Sequence, residues 1–252
     1  MTDAAPAIAA AGLRKSFGAL EATRAVSLAV PPGGRHAIIG PNGAGKTTLF
    51  NLLSGALRPD QGQVLLGGVD VTREGPDGRA RRGLARSFQR NSLFAEMTVA
   101  AALMTASAIA DGGSAVFWRR FDRDAARAEA AAAIAARVGL ADRLEELSGN
   151  LAYGAQRQLE IGLALATRPA VLLLDEPTAG MSPEETRAMQ DLLAGLPRAI
   201  TILVIEHDMD VVFDLAERVT VLDYGAVLLE GTPAEIRSSD LVRRRYLGER
   251  TQ

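Results

Sequence analysis

The stretch Gly40-Pro41-Asn42-Gly43-Ala44-Gly45-Lys46-Thr47 constrains this chain more than any other, and it matches G-x-x-x-x-G-K-[ST] in full. The glycines let backbone N–H groups turn toward phosphate oxygens, and the start of a following helix adds positive potential. Such a loop works only between a strand and a helix. Both are written in the flanks. Arg35–Ile39 is short and apolar and reads as a buried strand. Thr47–Leu57 carries Leu49, Leu52, Leu53 and Leu57 at helical spacing, and Gly55 with Arg58-Pro59-Asp60 ends it. These flanks separate the motif from a chance glycine-rich turn. In such a loop Lys46 reaches the β- and γ-phosphates of a nucleoside triphosphate, and the Thr47 hydroxyl can ligate Mg²⁺.

A second phosphate-chemistry signal follows at Val171–Glu176, where an apolar run ends in the paired carboxylates Asp175 and Glu176. A strand there carries Asp175 to the C-terminal edge of a sheet, where it can hold a Mg²⁺ shell. Glu176 is then placed to orient or deprotonate an attacking water, and a positioned base is worth about 10²–10⁴ in rate. Alone, the pair could be a solvated strand end. The intact loop upstream argues for the chemical role.

Composition bounds the rest. A hydrophobic content of 48% supports a substantial core, and a net charge of -2 does not mark a dedicated polyanion binder. The chain has no cysteine, which excludes disulfides and thiolate metal sites and fits a cytosolic protein. Residues 1–13 are Ala-rich, but no Lys or Arg precedes the apolar stretch, so they make a poor secretion signal. No run approaches the roughly 18 apolar residues of a membrane span. A membrane role therefore has to come through a partner.

The order of elements predicts an α/β protein. Ala25–Val30 reads as a strand and Pro31–Gly34 as a turn. From Met97 to Leu147 the chain is dominated by Ala, Leu, Arg and Glu, with no convincing strand and a break at Asp111–Ser114. Val171–Leu174 and Ala199–Ile205 read as buried strands around a helix at Glu184–Leu196, the βαβ rhythm of a parallel sheet. Val219–Leu222 and Ala226–Leu229 flank Asp223-Tyr224-Gly225 and predict a hairpin. The helical stretch reads as an insertion between two halves of one α/β core, about 1–88 and 162–252, with the insertion at about 89–161.

The ordered set Gly40–Thr47, Gln89, Leu151–Arg157, Asp175-Glu176, Ala179–Ser182 and His207 resembles the nucleotide-binding subunits of ABC transporters, over essentially the whole chain. The resemblance implies a P-loop NTPase core of ABC ATPase type, with N-terminal antiparallel strands and an inserted α-helical subdomain. It implies ATP and Mg²⁺ as ligands, with Gly40, Pro41, Asn42, Gly43, Ala44, Gly45, Lys46, Thr47 and Thr48 around the phosphates. Thr47, Gln89 and Asp175 would serve the metal. Phe17 takes the position of an aromatic that stacks on adenine, Glu176 that of the catalytic carboxylate, and His207 that of the switch histidine at the γ-phosphate. Ala179–Ser182 matches the loop that passes between the two subunits of a dimer.

Leu151, Ala152, Tyr153, Gly154, Ala155 and Gln156 correspond to the signature segment, which acts on ATP held by a partner subunit. The usual pattern is Leu-Ser-Gly-Gly-Gln, so the serine hydroxyl, one glycine and the glutamine are missing here. This variant is similar to the ATP-binding subunits of branched-chain amino acid importers. So are Arg86–Gln89, Glu206–Met209 and the tail from Gly231 to Gly248. Importers of urea, short amides or aromatic acids share many of these features. The resemblance implies a second ATPase subunit as partner, in a heterodimer with a homodimer as the alternative. It also implies membrane permeases, an indirectly linked solute-binding protein, and a peripheral place on the cytoplasmic face of the inner membrane.

Two features stay outside that assignment. Arg73, Arg79, Arg81, Arg82, Arg86 and Arg90 read as a solvated surface with docking contacts rather than a nucleic-acid patch, because no aromatic residues interleave with them. Trp118 is open between a core role and contact with a membrane or permease. A soluble ABC-type ATPase acting on nucleic acid or ribosomes is the rival from another class. A regulatory module with a dead site is a second, and intact Lys46, Asp175, Glu176 and His207 argue against it.

Overall fold

The computed structural model describes residues 5–87, 95–111 and 125–244. Gln89, Arg90 and Trp118 lie outside the described residues. Contacts divide the chain into two units, one formed by Met1–Leu84, Ala170–Glu176 and Pro197–Gln252, the other by Ala85–Pro169 and Pro177–Leu196.

The first unit carries two sheets. Strands β1 (Ile8–Phe17) and β2 (Leu20–Val30) form an antiparallel pair, and β4 (Gln61–Leu66) with β5 (Val69–Asp70) extends it in the order β2-β1-β4-β5. The second sheet centres on β3 (Arg35–Ile39). It pairs in parallel with β8 (Thr201–Ile205) on one side and β9 (Arg218–Asp223) on the other. Beyond β8 lies β7 (Val171–Asp175), also parallel, and beyond β9 lies β10 (Ala226–Gly231), antiparallel. Strand β6 (Leu84–Arg86) marks the point where the chain leaves the first unit. Every residue of β3, β7 and β8 is buried. That is why β7 and β8 read as largely apolar runs rather than alternating ones, while β3 buries Arg35 and His36 ahead of Ala37-Ile38-Ile39.

Helix α1 (Lys46–Ser54) packs Leu49, Phe50, Leu52 and Leu53 into the core that also holds Ile38, Val171 and Leu203. Its C-cap is Gly55, in the left-handed region at φ 81°. The short helix α2 (Pro76–Arg81) returns Arg79 to that same end. The solvated reading of the arginine run fails at this residue. Arg79 is 1% exposed. Its guanidinium donates to the carbonyls of Leu52 and Leu53 at 2.5 and 2.7 Å and to that of Glu74 at 3.1 Å. The last carbonyls of a helix lack intrahelical partners, and here a buried cation supplies them. Burial lowers its pKa, and the nearby Glu74 and Asp70 oppose that shift. Arg82 behaves as the sequence predicts, forming an exposed pair with Glu74.

The β9–β10 hairpin turns in two residues, since Asp223 pairs with Ala226. Both turn residues have positive φ, 43° at Tyr224 and 79° at Gly225. This is the geometry that favours Asn-Gly. An L-residue with a bulky side chain is disfavoured there by roughly 1–2 kcal/mol.

His36 on β3 is buried, with Nε2 2.7 Å from the Thr220 hydroxyl and no partner at Nδ1 among the described residues. Desolvation lowers its pKa from 6.5 to about 4, with Glu230 raising it and Arg218 lowering it further. The unfolded chain therefore binds a proton between those values that the folded chain refuses. Stability rises with pH across this window and is lost as pH falls from 6.5 toward 4. We expect wild type to lose on the order of 2 kcal/mol more than His36→Gln on going from about pH 7 to about pH 4.5. Chemical denaturation of both proteins at the two pH values measures this.

The second unit is helical. α3 (Val99–Ala110), α4 (Ala125–Arg137) and α5 (Tyr153–Ala166) pack on one another, and α6 (Pro183–Ala194) belongs to the same unit. Thr98 caps α3 by accepting from the N–H of Ala101. Ser182 and Glu185 form a reciprocal capping box on α6.

Candidate active site

The loop between β3 and α1 is built around its backbone. Gly45 sits at φ 98°, and a Cβ there would lie 2.3 Å from the carbonyl oxygen of Ala22. No other residue type fits that approach. Lys46 opens α1 and is 8% exposed. Its ammonium donates to the carbonyls of Gly40 at 2.6 Å and Pro41 at 3.1 Å. Burial pushes its pKa below the usual lysine value, while Glu176 and Asp175 pull it back up. A cation that is partly desolvated and flanked by carboxylates is well suited to meeting phosphate.

A cleft of about 310 Å³ lies over this loop. Asn42–Thr48 line it, together with Phe17, Glu21, Arg24, Glu176 and Tyr224. The predicted aromatic, phosphate loop and carboxylate thus share one cleft within the first unit. Phe17 ends β1 half-exposed, with the Lys15 ammonium 5.8 Å from its ring centre.

Asp175 is the last residue of β7 and is buried. Glu176 leaves the strand at φ 48°, the left-handed region, while its N–H still bonds to the carbonyl of Ile205 at 2.9 Å. Such backbone strain concentrates where side-chain direction matters. The Glu176 carboxylate lies 3.9 Å from Nδ1 of His207, which follows β8. The buried Glu206 accepts from the His207 N–H at 3.2 Å. Two strand ends thereby bring a carboxylate and an imidazole together, and the carboxylate also acts on Lys46. Sequence reasoning misses Glu206, because a carboxylate beside a histidine carries no local sign of its burial.

Thr47 and Asp175 offer only oxygen donors. Among the described residues, no group of three or more His, Cys, Asp or Glu is arranged to hold a metal alone. One hydroxyl and one carboxylate suit a hard cation that completes its shell with phosphate and water oxygens, so the residues fit Mg²⁺. Gln89, the third expected ligand, lies outside the described residues.

In the second unit, Ala152 is the N-cap of α5, with no side-chain cap. Gly154 is buried, and a Cβ on it would lie 2.4 Å from the Glu185 carboxylate. That carboxylate accepts from the Gly154 N–H at 3.2 Å and from the Ser182 N–H at 2.9 Å. The Tyr153 hydroxyl donates to the carbonyl of Ala179 at 3.0 Å, and the Arg157 guanidinium lies over the Tyr153 ring. Leu151–Gln156 and Ala179–Ser182 are thus tied together through Tyr153 and Glu185. Ala152 has the extended backbone of an N-cap, at φ -59° and ψ 155°. We therefore expect Ala152→Ser to stabilise the free chain by about 1 kcal/mol by capping the helix. The thermal midpoint rises by roughly 2–4 °C, read by differential scanning calorimetry.

A family model described as ABC transporter matches residues 23–179. The chain is similar to the high-affinity branched-chain amino acid transport ATP-binding protein LivG of Escherichia coli, at 41% identity over 97% of this chain and 98% of that protein. BraF of Pseudomonas aeruginosa, described in the same words, is 40% identical over 97% of this chain and 98% of its own length. Among solved structures, the ADP conformation of MJ1267, an ATP-binding cassette of an ABC transporter, matches with a TM-score of 0.86. It shares 30% identity over 97% of this chain and 99% of that one.

Proposed function

We propose that this chain, which belongs to the ABC transporter family as an ATP-binding subunit, powers uptake of branched-chain amino acids through partner permeases. Membership makes it an ATPase. The observation that carries the catalytic reading is the convergence of Lys46 and Glu176 at one cleft, with the His207 imidazole 3.9 Å from the Glu176 carboxylate. The substrate reading rests on the similarity, over nearly the whole chain, to LivG and BraF, both branched-chain amino acid transport ATP-binding proteins.

In this reading the loop N–H groups and Lys46 hold the β- and γ-phosphates. Glu176 orients a water toward the γ-phosphorus and accepts its proton. His207 contacts the γ-phosphate, and Glu206 holds the backbone of that turn. Phe17 stacks on the adenine. Thr47 and Asp175, with Gln89, would hold Mg²⁺, which when bound neutralises phosphate charge. Leu151–Gln156 would act on ATP held by a second ATPase subunit, a heterodimeric partner, and Ala179–Ser182 would run along that dimer. The assembly would sit at the cytoplasmic face of the membrane, where the described residues contribute no helix long and apolar enough to cross it. The nucleic-acid rival gains nothing from a net charge of -2 or from an arginine run whose Arg79 is buried.

The test is reconstitution of this chain with its cognate ATPase, permeases and binding protein in vesicles. Uptake of leucine, isoleucine or valine that requires both ATP and this chain is the expected result. Uptake of another solute alone would overturn the substrate. An isolated chain fully active at any dilution would overturn the shared-site mechanism.

A further inference from the structure

We propose that Tyr224 is a nucleobase-binding residue, an aromatic wall of the ATP cleft supplied by the β9–β10 turn in addition to Phe17. The proposal rests on the cleft being the ATP site, and it adds a residue that no motif marks. Three observations carry it. First, Tyr224 lines the cleft with Phe17, Glu21, Arg24 and the phosphate loop. Second, it is 71% exposed, more than any other large apolar or aromatic side chain among the described residues, so no packing need holds it there. Third, it occupies the first position of a two-residue hairpin at φ 43°, where Asn or Gly is favoured and a bulky side chain strains the backbone. A residue that costs turn stability and packs against little is explained by what its ring does outward.

The turn is also anchored to the loop it would serve. The Gly225 N–H donates to the carbonyl of Ala44 at 3.0 Å, and the Gly225 carbonyl accepts from the Arg24 N–H at 2.6 Å. Tyr224 therefore keeps a fixed relation to the phosphate-binding backbone and to the β2 residues of the cleft. An aromatic face held in this way suits the π-face of a purine, and base–aromatic stacking tolerates different bases.

The test uses Tyr224→Asn, which keeps the preferred turn chemistry while removing the ring, and Tyr224→Phe, which keeps the ring. ATP affinity is measured by calorimetry on the full chain, alongside inorganic tripolyphosphate as a probe with no base. Tyr224→Asn should weaken ATP about five- to thirty-fold, leave tripolyphosphate unchanged and raise the thermal midpoint by about 2–4 °C. Tyr224→Phe should bind ATP like wild type. Unchanged ATP affinity in Tyr224→Asn, or a parallel loss of tripolyphosphate, overturns the proposal. Lys46→Ala is the control for the underlying reading. It should weaken both ligands, and if it weakens neither, the cleft itself is misassigned.

Discussion

Glu176→Gln lowers steady-state ATP hydrolysis by about 10²–10⁴-fold while leaving ATP bound. The substitution keeps the size of the side chain and takes away its capacity to accept a proton. It should not disturb the turn, because the N–H bond to Ile205 belongs to the backbone and glutamine meets the same constraint at φ 48°. Charge argues in the same direction for binding. Glu176 is the larger of the two carboxylate influences on Lys46, so its neutralisation removes a negative charge from beside the phosphates. ATP affinity then holds or improves while turnover collapses, and an ATP-loaded dimer accumulates. Phosphate release, nucleotide calorimetry and size-exclusion chromatography with ATP read the three effects separately. Full hydrolysis by the variant would remove Glu176 from its assigned role.

The phosphate loop is legible in the sequence because its chemistry is local. Glycines, lysine and threonine must be consecutive, and the strand and helix beside them show their own periodicity. β7 is legible for a similar reason, since a strand buried on both faces has to be apolar throughout and ends visibly at Asp175. The hairpin at Tyr224-Gly225 is legible from its flanking strands, but the meaning of a tyrosine in that turn needs its φ angle and the cleft beside it. Arg79 misleads because its partners, Leu52 and Leu53, lie 27 and 26 residues earlier. Nothing within its own window distinguishes a buried helix cap from a solvated charge. Glu185 is the same kind of case. Its capping box with Ser182 is written locally, whereas its bond to Gly154 spans 31 residues. β1 is hard to see for a different reason. Its first half is dominated by Ala9-Ala10-Ala11, and alanine has little preference for strands. Pairing with β2 on one side and β4 on the other decides its conformation.

Lys46→Ala should weaken ATP binding about ten- to 150-fold, the loss of one charge-assisted contact worth about 1.5–3 kcal/mol. The structure explains why neither a neighbouring group nor arginine should substitute. The ammonium sits within hydrogen-bond reach of the Gly40 and Pro41 carbonyls, in a pocket closed enough to lower its pKa. A compact point charge fits there, whereas a planar guanidinium does not, so Lys46→Arg should recover little of the affinity. Removing the cation also leaves Asp175 and Glu176 facing the incoming phosphates without their compensating charge, which adds repulsion to the lost contact. The fold should tolerate the change. Alanine is a strong helix former at the start of α1, and the tight approach at Gly45 is untouched. Unaltered circular dichroism with a large loss of ATP affinity is therefore the expected pair of results. Unchanged affinity would mean that the cleft over this loop is misassigned as the ATP site.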